Sequence, residues 1–184
     1  QCYYDSLMEL YAFWGVDFVK CDDICNARLV NGSDDAQENE IRMLHAAIQK
    51  CGRPIVLSLS PGPALLDRGS LYAKYANMWR VTGDFWDNWE QLKDMFDRCE
   101  KWASFVKKGC YPDCDMLPLG WIGKEFLQER RTRFTMAEQE TMMTLWCICH
   151  SPLFLGAELT RLESDTLALI TNKEVLHLDQ AMDN

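Results

Sequence analysis

Along this chain the apolar residues switch between short unbroken runs and a spacing of three and four, the marks of buried strands and of helices with one buried face. Leu7, Leu10 and Tyr11 repeat at helical spacing over 5–13, with Asp5 placed as a cap. Behind Gly15, the β-formers Val16, Phe18 and Val19 predict a strand at 17–20 that runs into a charged tip. A polar loop at 26–35, with the turn signal Asn31-Gly32-Ser33, leads to a helix at 36–50 that Gly52 stops. Ile41, Leu44 and Ile48 form its apolar face, which His45 flanks. Residues 55–59 read as a second strand, broken off by Ser60-Pro61-Gly62-Pro63. A short helix at 70–76 precedes a third strand at 78–81, and 86–105 reads as a long amphipathic helix. Trp89, Leu92, Met95, Phe96 and Trp102 lie on its inward stripe, so Trp89 and Trp102 are expected in the core rather than under a sugar. A loop at 109–112, a fourth strand at 115–117 and a polar stretch at 120–133, extended or mobile, come next. Within the last, Glu129 to Arg133 reads as solvated charge. Thr135 and Glu138 form a capping box for a helix that runs to about Cys149. A fifth strand at 152–155 and helices at 163–169 and 173–178 complete the chain.

Strand and helix alternate throughout, which calls for parallel strands joined by helical crossovers and for a single domain over 1–184. In such folds sites form at the carboxyl ends of strands. The first strand ends in Lys20-x-Asp22-Asp23, a tip that needs partners if it is buried. The plainer alternative is that Asp22 or Asp23 caps a helix or a turn. The third strand also ends near a carboxylate, Asp84, within Trp79-Arg80-Val81-Thr82-Gly83-Asp84. Two carboxylates on two strand ends are what glycoside hydrolysis requires, one ionised to attack and one protonated to donate. Arg80 serves equally well as an ion-pair partner of Asp84 or Asp87.

These residues carry a resemblance. Trp14-Gly15-Val16-Asp17 through Lys20-Cys21-Asp22 is similar to the nucleophile motif of glycoside hydrolase family 27, the α-galactosidases and α-N-acetylgalactosaminidases. Trp79 to Asp84 with Asp87-Asn88-Trp89 resembles its acid/base motif, and Asp113-Cys114-Asp115-Met116-Leu117 its Asp-Pro-Asp-Met-Leu segment. Ser151 to Gly156, Thr171 to Leu176 and Gln180 resemble the end of its catalytic barrel. Four motifs in family order cover nearly the whole chain, a far more specific signal than any one alone.

The resemblance implies a (β/α)8 TIM barrel, of which the five units here correspond to units four to eight. The first three are expected upstream of Gln1, and the family's C-terminal β-domain beyond Asn184. It also implies a retaining hydrolase of terminal α-linked galactose-like sugars, with Asp22 as nucleophile and Asp84 as general acid and then base. Lys20, Ser60, Arg80, Asp115 and Met116 would bind the sugar, with Asp113 supporting Asp115 and Asp87 opening the following helix. No cofactor or metal is implied. A bridge between Cys2 and Cys25 follows from the family's habit of tying down the loop after the nucleophile strand. The chain departs from the family at Cys21, in place of an aromatic, and at Asp23-Ile24-Cys25, one residue longer than usual. Ser60-Pro61 stands where the galactosidase branch has Glu-Trp, leaving room for a larger 2-substituent, as in the N-acetylgalactosaminidase branch. The competing classes are a non-catalytic carbohydrate-binding protein and a metal or redox protein.

Composition narrows the partners. With a net charge of −9 over 184 residues, nucleic acid and anionic membrane surfaces are poor partners, and no apolar run is long enough to span a bilayer. A carbohydrate substrate is compatible. Nine cysteines, an odd number, leave at least one unpaired within the chain. Cys110-x3-Cys114 and Cys147-x-Cys149-His150 are the zinc candidates, set against buried free thiols.

Overall fold

The computed structural model describes residues 1–24, 34–122 and 129–182. Helix α1 (Cys2–Trp14) turns into strand β1 (Phe18–Asp22) through Gly15, whose φ of 80° is the left-handed conformation that glycine adopts without penalty. Gly15 N–H donates to Ala12 O and Val16 N–H to Tyr11 O, the paired closure of a Schellman end. Helix α2 (Asp34–Lys50), strand β2 (Val56–Ser60), helix α3 (Gly69–Tyr75), strand β3 (Met78–Arg80), helix α4 (Trp89–Trp102) and strand β4 (Tyr111–Asp113) follow. The four strands form one parallel sheet in the order β1-β2-β3-β4.

Register sorts the side chains onto two faces. Lys20 lies opposite Ser58, Asp22 opposite Ser60, Ser58 opposite Met78, and Arg80 opposite Asp113, so these share one face. The other face carries Val19, Cys21, Leu57, Leu59 and Trp79 against the helices. Leu57, Leu59 and Trp79 are fully buried there. The Trp79 ring stacks on Tyr72 of α3 at 6.0 Å and meets Trp102 of α4 at 6.1 Å. Aromatic burial of this kind fixes the helices on the sheet. On the polar face, Phe18 at the amino end of β1 meets Phe154 edge to face at 5.9 Å, leaving the charged residues at the carboxyl end.

Several boundaries differ from expectation for physical reasons. Helix α4 starts at Trp89 because the Asn88 side chain accepts from the N–H groups of Glu90 and Gln91. Asp87 does not open it. Trp89, at the first helical position, is 42% exposed, whereas Trp102 is buried as expected. The fourth strand lies at Tyr111–Asp113, not at 115–117. Asp115 adopts φ 75° and donates its N–H to Asp113 Oδ1 at 2.8 Å, a local turn that ends the strand. The expected fifth strand is reduced to a single parallel bridge between Leu117 and Leu155. The groups that would extend it are engaged elsewhere: Leu119 N–H turns back to Leu117 O, and Asp115 O accepts from the Trp146 indole.

The stretch expected to be extended or mobile contains an antiparallel pair, β5 (Trp121–Ile122) and β6 (Arg130–Arg131), in the register Trp121 to Arg131. Helices α5 (Met136–Ile148), α6 (Ser164–Ile170) and α7 (Lys173–Gln180) lie close to their expected places. Both halves of the Thr135–Glu138 capping box form. Cys25 and the loop 26–33 lie outside the described residues.

Candidate active site

Each of the four parallel strands ends on a residue singled out above: Asp22 on β1, Ser60 on β2, Arg80 on β3 and Asp113 on β4. A parallel sheet brings all its carboxyl ends to one edge, so residues distant in sequence meet there without special loops. Asp84 and Asp115 lie on the segments just beyond β3 and β4 and return to the same edge through Arg80. The Arg80 side chain is only 11% exposed. Its Nη2 donates to Asp84 Oδ1 at 2.8 Å, its Nε donates to Thr82 O at 3.2 Å, and Nη1 stands 3.8 Å from Asp115 Oδ2. Asp115 in turn accepts from Phe85 N–H at 2.8 Å, and its carbonyl accepts from the Trp146 indole at 3.0 Å.

The Asp22 carboxyl is held below the usual carboxylate range, first by the Ser60 hydroxyl beside it in the register. Burial opposes this, while the Asp23 N–H and the charges of Lys20 and Arg80 reinforce it. The buried Ser60 Oγ forms no hydrogen bond among the described residues, so its pull on Asp22 is weaker than that of a formed one. Asp23 adopts φ 52°, a left-handed turn that aspartate tolerates better than most residues, and this aims its N–H back at Asp22. A carboxylate so held stays ionised through the neutral range, the state a nucleophile needs.

Asp113 is different. Burial pushes its carboxyl up to about 6, with the Asp115 charge adding to the rise and the Asp115 N–H, Lys20 and Arg80 opposing it. A folded value above the unfolded one contributes stability that is complete below about pH 4 and lost as pH rises through 6. Asp113→Asn keeps the acceptor for Asp115 N–H and removes the buried charge. It should therefore stabilise the protein by up to about 3 kcal/mol above pH 6, and not at pH 4. Melting temperatures of both proteins across pH 4–8 check this, and a difference that does not change with pH would contradict it.

The structure thus brings Lys20, Asp22, Ser60, Arg80, Asp84, Asp113 and Asp115 to one edge. Met116 is half-buried and packs its sulfur against Gly156, where a Cβ would stand only 2.6 Å from it. The first zinc pair separates: the Cys110 thiol donates to Ala73 O at 3.3 Å, while Cys114 faces Cys99 at 3.6 Å, and Cys149 meets the same Cys99 thiol. Among the described residues no group of three or more such side chains is arranged to hold a metal ion. Sequence reasoning missed Asp87 and Arg130. Asp87 is buried and accepts from both Nη atoms of Arg130, so Arg130 is not solvated charge. The available signal was a surplus of arginines at 130–133 and an aspartate flanked by Trp86 and Trp89, but nothing in the sequence joins the two.

Polar side chains end all four parallel strands, three of them charged, at the end where (β/α)8 barrels place their sites. The family model described as Alpha galactosidase A matches residues 1–181, and the chain belongs to that family, glycoside hydrolase family 27. Alpha-galactosidase 2 of Arabidopsis thaliana is 30% identical over 172 residues, covering 94% of this chain and 39% of the relative. Alpha-galactosidase A of Homo sapiens is 30% identical over 190 residues, covering 97% of this chain and 40% of the relative. Among solved structures, a family 27 β-L-arabinopyranosidase from Geobacillus stearothermophilus is 56% identical with a TM-score of 0.89, over 96% of this chain and 41% of that one. The chain thus spans about 40% of the length of the curated relatives it matches.

Proposed function

We propose that this chain carries the catalytic carboxylates of a retaining glycoside hydrolase of the α-galactosidase type, with Asp22 as nucleophile and Asp84 as acid/base. The observation that carries the proposal is the Arg80 hub. One guanidinium pairs with Asp84, approaches Asp115 and adds its charge to that of Lys20 in keeping Asp22 ionised. Retention requires the two carboxyls to flank one glycosidic bond about 5–5.5 Å apart. In the first step Asp22 Oδ attacks the anomeric carbon, the glycosidic C–O bond breaks, and Asp84 gives its proton to the leaving oxygen. In the second, Asp84 takes a proton from water, which attacks the same carbon and releases Asp22. Lys20, Ser60, Arg80 and Asp115 contact the sugar hydroxyls through directional hydrogen bonds, charge-assisted except for Ser60.

The 56% identity to a β-L-arabinopyranosidase favours one refinement of the sugar. β-L-Arabinopyranose has the ring stereochemistry of α-D-galactose and lacks only the hydroxymethyl group at C5. The same carboxylates serve both, and the preferred substrate is the arabinopyranoside. A panel of aryl α-D-galactoside, aryl β-L-arabinopyranoside and aryl α-N-acetylgalactosaminide on the full-length protein tests this, with the first-formed anomer followed by NMR. The expected result is hydrolysis of the first two with retention, and kcat/KM about 10–100-fold higher for the arabinopyranoside. Hydrolysis of none, or a first product of inverted configuration, would refute the mechanism. A galactoside preference would refute only the refinement.

A further inference from the structure

We infer that Asp87 and Arg130 are positioning residues that set the reach of Asp84, an inference that rests on the acid/base role proposed above. Asp84 is 77% exposed on its side-chain surface, and Arg80 is the cation that holds it. A side chain so little packed takes its position from the backbone that carries it. That backbone is pinned at two points just beyond it. At the next residue, Phe85 donates its N–H to Asp115, and its buried ring packs on Trp146 at 5.0 Å and Phe134 at 6.4 Å. Three residues beyond Asp84, the Asp87 side chain is only 1% exposed. It accepts from Arg130 Nη1 and Nη2, the latter at 2.9 Å, and from Arg133 N–H at 2.6 Å.

Burial alone would raise the Asp87 carboxyl. The Arg130 guanidinium and the Arg133 N–H outweigh burial and hold it below the usual range, so the pair stays ionic in place. Buried ion pairs are poor stabilisers, since apolar residues of the same volume often do as well, and what they do supply is fixed geometry. Here the two-pronged contact joins segments 43 residues apart, the turn after β3 and strand β6. The turn follows the carboxyl end of β3, and β6 lies in the connection that follows the carboxyl end of β4. The clamp therefore fixes the Asp84 backbone against the connection beyond the neighbouring strand.

The test exploits what an acid does and a scaffold does not. A poor leaving group needs the Asp84 proton, whereas 2,4-dinitrophenolate departs without it. In the full-length protein, Arg130→Met should lower kcat/KM about 100-fold on an alkyl glycoside. On the dinitrophenyl glycoside of the same sugar the loss should stay below about 3-fold, because acid catalysis contributes little there. Arg130→Lys keeps the charge and loses the fork, so it should show the same selectivity at smaller amplitude, and it serves where Arg130→Met does not fold. Equal losses on both substrates, or no loss, would overturn the clamp. Asp84→Ala is the control: its selective loss alongside a uniform loss in the arginine variants would sink the clamp alone. An unselective Asp84→Ala would sink the acid/base reading and the clamp with it.

Discussion

Asp22→Ala lowers kcat by at least about 10⁴-fold on every glycoside the protein hydrolyses, the scale of loss seen when a catalytic nucleophile is removed. The loss does not depend on the leaving group, because without Asp22 no glycosyl-enzyme forms and the second step has nothing to hydrolyse. Added azide restores cleavage of activated substrates, since it attacks from the face that Asp22 vacated, and the product is a glycosyl azide of inverted configuration. The size of the effect follows from how Asp22 is prepared. Ser60 beside it, the Asp23 N–H and the charges of Lys20 and Arg80 hold the carboxyl below its usual range. At neutral pH essentially all of the protein is competent to attack. Steady-state kinetics with and without azide check this, and rates within about 10-fold of the parent would remove Asp22 from the nucleophile role.

Asp84→Ala has the second largest effect, about 10²–10⁴-fold on substrates with poor leaving groups, the usual contribution of a positioned general acid. It is much smaller on the first step with activated aryl glycosides, whose leaving groups need no proton. Release of the sugar from Asp22 then becomes rate-limiting, because water has lost its base, and a burst of aryl alcohol precedes slow turnover. Azide accelerates that release and gives a product of retained configuration, the opposite outcome to Asp22→Ala. The contrast between the two azide products distinguishes the roles more sharply than either rate. Burst kinetics on a dinitrophenyl glycoside supply the check, and a loss of equal size on all leaving groups would contradict the assignment.

Much of the fold was legible because local signals and tertiary demands agree. Gly15 ends α1 in a left-handed turn that a side chain would resist, and Thr135 with Glu138 starts α5. Alternation along β2 separates Leu57 and Leu59 from Ser58 and Ser60, which foretells a sheet with one helix-covered face and one polar face. Part of the candidate site was legible for the same reason: parallel strands bring their ends together, so Asp22, Ser60 and Arg80 needed only to stand at strand ends, whereas Asp113 was expected ahead of a strand at 115–117.

What could not be read depends partly on fine local geometry and partly on partners far away in sequence. Asp115 lies in a turn because its N–H finds Asp113 two residues back, and Leu155 pairs with Leu117 for a single residue because Asp115 O is taken by the distant Trp146 indole and Leu119 N–H by Leu117 O. Arg130 looks solvated until the fold brings Asp87 to its guanidinium, while the side chains of Arg131 and Arg133 do stay exposed. Trp89 has the spacing of a core residue, yet it lies exposed in the first turn that Asn88 creates.

The most direct test is to trap the glycosyl-enzyme. Incubating the full-length protein with a ring-fluorinated glycosyl fluoride of galactose or arabinopyranose configuration slows release of the sugar, and peptide mass spectrometry then locates the ester. One sugar per chain, on the peptide containing Asp22 and absent from Asp22→Ala, is the expected result. A label on Asp84 or Asp115, or turnover with no covalent sugar at all, would contradict it.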